Sequence, residues 1–292
     1  MATYVIEINN LTKMYGKNRG IDYVSFSVKQ GEIFGFIGPN GAGKTTTLRL
    51  LVGLIFPTSG TATIFGKDCI TEGSTIREDI GYLPGEVFFY EKMKVGQMLS
   101  YSASFYKKDC TKRMNELVER LEIDTSRRLD SLSFGNRKKV GIALGLLHSP
   151  KLIILDEPTT GLDPLMQQTF FDIIKEERDK GSTILFSSHI LSEVQKLCNR
   201  LAIIKEGKII RIDDVASINR EAYRKYSITC DTLNSSDFSD GGFSEFTQEG
   251  NELSFLHSGD INEVLSIVAN HKIIDMKIAE PTLEEIFMNY YR

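Results

Sequence analysis

The chain has no tryptophan, only four cysteines and seven prolines in 292 residues, and no apolar run long enough to span a bilayer. Cys69, Cys110, Cys198 and Cys230 are scattered, form no C-x-x-C pair and lie far from any histidine cluster. That pattern excludes a zinc site and leaves the cysteines as reduced packing residues. The most apolar windows, Val140–Leu147 and Leu152–Leu155, are interrupted by His148, Pro150 and Lys151, well short of the ~20 residues a membrane helix requires. The opening MATYVIEINNLTKMYGK has no long apolar segment behind a basic start, so no secretory signal is read and cytosolic residence is expected. Positive charge is not in excess either. With 35 Lys and Arg against 39 Asp and Glu, the net charge of -4 offers no broad positive field, and no nucleic-acid partner is expected.

What the chain does have is an ordinary supply of core residues, 41% hydrophobic and 10% aromatic, enough for one large domain and a small appendage. Short β-like runs come first: Val5–Ile8, Val24–Val28, Ile33–Ile37 and Thr61–Phe65. The rhythm turns helical after Lys44, where TTTLRLLVGL has apolar residues at helical spacing. The helical pattern from Val95 to about Leu121 marks an inserted helical subdomain, set at about residues 86–150. KLIILDEP and STILFSS are the unbroken apolar runs of central parallel strands covered on both faces. PLMQQTFFDIIKEERDKG between them reads as a crossover helix ended by Gly181. Composition shifts near Asp213. Beyond it, alternating strands (Tyr226–Thr229, Glu252–Leu256), a Gly241–Gly242 pair and the helix signal DINEVLSIVANH mark a small domain over 220–292, after a first domain over 1–215.

Gly38-Pro39-Asn40-Gly41-Ala42-Gly43-Lys44-Thr45 fits G-x-x-x-x-G-K-[ST] between the apolar strand IFGFI and a helix, the context the motif demands. Its glycines let the backbone wrap an anion with N–H groups inward, and the following helix presents its positive end to phosphate. A nucleotide is the natural ligand. An exposed helix N-terminus supplies about 0.3–1 kcal/mol against the ~8 kcal/mol of micromolar binding, so Lys44 and a magnesium ion held by Thr45 must contribute. The strand KLIILDE ends in two acids. Asp156 would hold the magnesium through water, and Glu157 points to the place of an attacking water, as its general base or positioner.

GPNGAGKTT, LSFGN, LIILDEPTTGLDP and FSSHILSE, in this order and spacing, resemble the motifs of ATP-binding cassette proteins over about residues 1–215. The resemblance implies a P-loop NTPase of α/β class. It would have a central, mainly parallel sheet, an antiparallel β subdomain, an inserted helical subdomain and a small α+β C-terminal domain. It also implies an ATPase subunit, with ATP and Mg2+, that pairs with a second ATP-binding subunit beneath a separate transmembrane permease at the inner face of the membrane. By position, Tyr15 resembles the aromatic that stacks on adenine, and Gly38 to Thr45, with Thr46, the phosphate cradle. Ser133 and Gly135 resemble the signature loop that serves the ATP of the other subunit. Gly161-Leu162-Asp163 resembles the loop that communicates across the dimer, and His189 the switch histidine on the γ-phosphate. Lys44, Glu157 and His189 are then the catalytic set, with Thr45 and Asp156 on the metal. The run Arg137-Lys138-Lys139 behind the signature reads as a solvated helix face.

Two positions depart from the family pattern. The signature has Phe134 and Asn136 where glycine and glutamine are usual, and Phe134 crowds the loop unless its ring turns away. GYLPGEVFFYEKM has Gly85 where a metal-ligating Gln or Glu is common, with Glu86 one place later as a candidate substitute. Val87-Phe88-Phe89-Tyr90 suits either a groove for a short helix of the permease or the core of the helical subdomain. The C-terminal AEPTLEEIFMNYYR resembles the small domain of bacterial drug- and peptide-antibiotic exporters, with Thr282 as a helix cap and Glu285 three residues on. The rival reading is a soluble cassette ATPase acting on RNA or a protein complex. Such proteins typically join two cassettes in one chain or insert a long coiled coil, and neither is present here.

Overall fold

Every residue of Ile33–Ile37, Leu152–Asp156 and Thr183–Ser188 is buried. Runs covered this uniformly belong inside a parallel sheet, and in the computed structural model these three lie side by side. The structure describes residues 3–90, 92–220, 224–238 and 242–279. The chain divides into two units, Met1–Val215 and Ala216–Arg292.

The first unit opens with β1 (Tyr4–Tyr15), β2 (Asn18–Lys29), β3 (Ile33–Ile37), α1 (Lys44–Leu51), β4 (Ser59–Ile64) and β5 (Lys67–Asp68). It continues through α2 (Gly73–Arg77), β6 (Ile80–Leu83), α3 (Val95–Ala103), α4 (Thr111–Arg120) and α5 (Phe134–Leu146). Then come β7 (Leu152–Asp156), α6 (Pro164–Asp179), β8 (Thr183–Ser188), α7 (Leu191–Leu197), β9 (Arg200–Lys205) and β10 (Lys208–Asp214), after which α8 (Val215–Arg220) begins at the boundary between the units.

The central sheet has the order β10-β9-β3-β8-β7-β6 and is parallel except for the antiparallel β10–β9 pair. A second, antiparallel sheet runs β2-β1-β4-β5. Its first two strands are longer than the runs visible in sequence. β1 continues to Tyr15 through register shifts and the positive φ of Asn10, irregularities that break simple alternation. Phe26 of β2 stacks on Phe34 of β3, 5.4 Å between ring centroids, so the two sheets share one core. Each fully buried Ile, Leu or Phe there contributes roughly 1.5–3 kcal/mol relative to exposure.

Helices α3, α4 and α5 form the insert between β6 and β7. Buried charge fastens α4 to α6: Arg113 Nη2 donates to Glu177 Oε1 at 2.7 Å, and Lys180 reaches the same oxygen at 2.9 Å. The four cysteines are buried and free. Among the described residues no helix is long and apolar enough to cross a membrane.

The second unit contains β11 (Arg224–Thr229), β12 (Phe243–Glu249), β13 (Glu252–His257), α9 (Ile261–Val268) and β14 (Asp275–Ala279). Its sheet, β12-β13-β11-β14, is antiparallel. Asp260 caps α9 by accepting from the Asn262 N–H at 3.0 Å. Tyr226, Phe238, Phe243 and Phe255 centre an aromatic core. Gly241 and the helix start expected at Thr282 and Glu285 lie outside the described residues.

Candidate active site

β3 ends at Ile37, and the chain turns through Gly38–Gly43 into α1. Gly41 and Gly43 have φ of 78 and 110, a region glycine enters without steric cost. A Cβ on Gly38 would stand 2.2 Å from the Ile204 carbonyl oxygen, and one on Gly43 2.6 Å from Ile21 Cγ2, so the loop is pressed onto its neighbours as only glycine permits. No side chain caps α1, which leaves its first-turn N–H groups and positive end for a ligand. Lys44 is almost fully buried. Its Nζ donates to Gly38 O (2.7 Å) and Pro39 O (3.1 Å) and lies 3.2 Å from Glu157 Oε1.

β7 delivers the two acids. Asp156 is fully buried; its Oδ1 accepts from Ser187 Oγ at 2.9 Å, while Oδ2 is buried with no hydrogen-bond partner. Glu157 follows at φ 46, a conformation a residue with a side chain holds only when its surroundings enforce it. The enforcement is visible. Its N–H donates to both the carbonyl oxygen and Oγ of Ser187, each at 3.2 Å, and its carboxylate sits between Lys44 and His189, whose Nδ1 is 3.3 Å from Oε2.

A cleft of about 650 Å³ opens on these groups, a size that suits a nucleotide. Tyr15, Asn40, Gly41, Gly43, Lys44, Thr45, Thr46, Asp156 and Glu157 line it, as do Gly85, Glu86 and Phe134. Tyr15 is half exposed, and its ring closes over Gly20, where a Cβ would meet it at 2.9 Å. Among the described residues no group of three or more His, Cys, Asp or Glu could hold a metal alone. One carboxylate with an unpartnered oxygen, lining the same cleft as Thr45, is instead a donor set for a hard cation completed by phosphate and water.

The pattern for ABC transporters matches residues 21–160. Over 213 residues the chain is 41% identical to the bacitracin transport ATP-binding protein BcrA of Bacillus licheniformis, spanning 70% of this chain and 68% of that protein. This chain belongs to the ATP-binding subunits of ABC transporters. The linearmycin resistance ATP-binding protein LnrL of Bacillus subtilis is 34% identical over 214 residues, 71% of this chain and 68% of that one. A solved structure of an ATP-binding subunit of an ABC transporter superposes with a TM-score of 0.70 at 30% identity, over 74% of this chain and 92% of that one. The family hydrolyses ATP, and the α/β cassette fold expected from the motifs is the one found.

Other residues expected in the ABC site stand outside this cleft. Ser133 caps α5, accepting from the Asn136 N–H at 3.4 Å. Asp163 caps α6, accepting from the Met166 N–H at 3.0 Å with Pro164 in the first turn. Gly135 passes so close to the Gly161 carbonyl that a Cβ would fall 2.5 Å from it. The Phe134 ring lies on Gly161, where a Cβ would be 2.3 Å from Cδ1, and it also lines the cleft.

The reading of Arg137-Lys138-Lys139 as a solvated face is corrected. Lys138 is 1% exposed, Arg137 donates to Asp130 O at 3.3 Å, and Lys139 is largely covered beside Glu122. The run packs because α5 is covered on several sides and lacks a polar face. Val87-Phe88-Phe89-Tyr90 splits. Val87 packs near Gly141 of α5, whereas Phe88 and Tyr90 are 83% and 63% exposed. Sequence reasoning missed Ser187, which organises both acids, and the cleft-lining Arg19 and Arg49. Arg49, five residues after Lys44 on α1, and Ser187, two before His189, were findable from motif spacing.

Proposed function

We propose that this ABC subunit powers export of a drug, peptide or lipid-like molecule, acting as one of an ATP-bound pair with Mg2+ beneath a separate membrane-spanning permease at the inner face of the membrane. The observation that carries the hydrolytic part is Glu157, held at a strained φ between Lys44 and His189 beside the buried Asp156. In that arrangement the loop amides and Lys44 bind the phosphates, and Glu157 orients water for in-line attack, with His189 steadying the γ-phosphate side. Thr45 and Asp156 would hold magnesium, which supplies neutralisation of phosphate charge.

Tyr15 is the candidate adenine platform. Ser133, Gly135 and Asp163, standing away from the cleft, are assigned to the ATP of the second subunit. The exporter assignment is supported by relatives named for bacitracin transport and linearmycin resistance. The permease is supported by the exposed aromatics Phe88, Tyr90, Tyr101 and Phe105, a composition enriched at protein interfaces.

The test compares wild type with Glu157→Gln. The variant should lose ATPase activity by about 100-fold or more, retain ATP binding, and accumulate as a dimer with ATP and Mg2+ by light scattering. Retention of wild-type turnover would remove Glu157 from the mechanism. In a copurified complex with its permease, a peptide antibiotic should stimulate ATPase activity; a complex driven only by an extracellular binding protein would reverse the assigned direction.

A further inference from the structure

Lys138 is a buried cation whose hydrogen bonds among the described residues go to backbone carbonyls. It lies in α5, little more than a turn after Ser133, and its Nζ donates to the carbonyl oxygens of Gly85 (2.7 Å) and Pro84 (3.4 Å). A Cβ built on Gly85 would also stand 3.5 Å from Asp156 Oδ2, the oxygen with no hydrogen-bond partner. Backbone 84–85 therefore lies against both the Lys138 ammonium and the Asp156 carboxylate. Burial lowers the Lys138 pKa to about 8, opposed by the charges of Asp156 and Glu157.

A buried charge is a costly way to hold a helix against a loop. Apolar residues of similar volume pack as well or better. A lysine kept here, with its donors on the backbone beside the reacting acids, is placed for function.

We infer that Lys138 is a positioning residue for ATP hydrolysis: it clamps the carbonyls of Pro84 and Gly85, fixes their distance from Asp156, and so ties the helix of the signature loop to the metal side of the cleft. A side chain at position 85 would ordinarily offer such a tie; here glycine has none, and the lysine makes the link from the opposite helix. The inference rests on the reading of Asp156 and Glu157 as the hydrolytic pair.

The experiment measures kcat and KM for Mg-ATP, binding of a fluorescent ATP analogue, and thermal melting for the full chain as wild type, Lys138→Met and Lys138→Arg. Lys138→Met is expected to lose about tenfold in kcat, roughly 1.4 kcal/mol, with KM and analogue binding within about twofold. Lys138→Arg, which keeps charge and donors, should recover most of that loss. A Lys138→Met kcat within about twofold of wild type overturns the inference. So does a parallel loss of kcat and binding, or failure of arginine to rescue. If Lys138→Met does not fold, Lys138→Gln, which keeps a polar end in the buried site, is judged by the same criteria. Wild-type protein without Mg-dependent ATPase activity would instead sink the reading of the cleft.

Discussion

His148 gives a prediction whose size follows from its surroundings. It sits just beyond α5, almost fully buried, with its ring stacked on Tyr106 at 4.0 Å and its Nε2 3.1 Å from Ile80 O. Nδ1 is buried without a partner, so a protonated ring would leave an N–H with nothing to accept it. Burial lowers its pKa from 6.5 to about 4, against the smaller opposing effect of the Ile80 carbonyl. The native state thus refuses a proton that the unfolded chain takes up below 6.5. Stability from this group is full above that value and is lost as pH falls towards 4. Between pH 7 and pH 5 the loss is about 2 kcal/mol, a large share of the ~5–15 kcal/mol that holds a domain together. Urea titrations followed by circular dichroism at the two pH values, on wild type and His148→Gln, isolate the contribution of His148. Wild type should lose about 2 kcal/mol more than the variant on acidification. Equal losses would mean that the fold accepts the proton, and the argument from burial would fail.

Ser187→Ala leaves Asp156 Oδ1 unpaired and removes one acceptor from the Glu157 N–H. It should cost about 1–3 kcal/mol in stability and lower kcat, and unchanged melting and turnover would refute the role given to Ser187. Arg113→Met leaves the buried Glu177 carboxylate with Lys180 as its remaining cation and should destabilise the first unit by about 1–3 kcal/mol, read by chemical denaturation; an unchanged unfolding midpoint would show that Lys180 alone satisfies the carboxylate. Glu86, exposed at the rim of the cleft beside Gly85, should lose about tenfold in ATPase rate as Glu86→Ala if it replaces the side chain missing at position 85. Wild-type activity would reject that substitution.

The phosphate loop and the acid pair were legible because their constraints are local. Positive φ at Gly41 and Gly43, a helix starting at Lys44 and acids at a strand tip all leave marks within a few residues. Lys138 left none. In sequence it is the middle of three cations, and its burial arises only when α5 lies against the segment after β6, contacts more than fifty residues apart. β1 and β2 were underestimated for a related reason: bulges interrupt the alternation by which a strand is recognised. Phe134 was visible as an oddity, but the direction of its ring depended on the bare backbone of Gly161, a fact of tertiary approach.

That contact constrains how the sequence can drift. With the Phe134 ring where it lies, a methyl group at position 161 would force the ring to move, and the φ of 82 there already disfavours one. Position 134 can shrink first without obstruction, whereas growth at position 161 first must displace the ring. Mutational histories through this pair therefore favour one order, and a library randomised at both positions should return larger residues at 161 chiefly in members that have given up the ring.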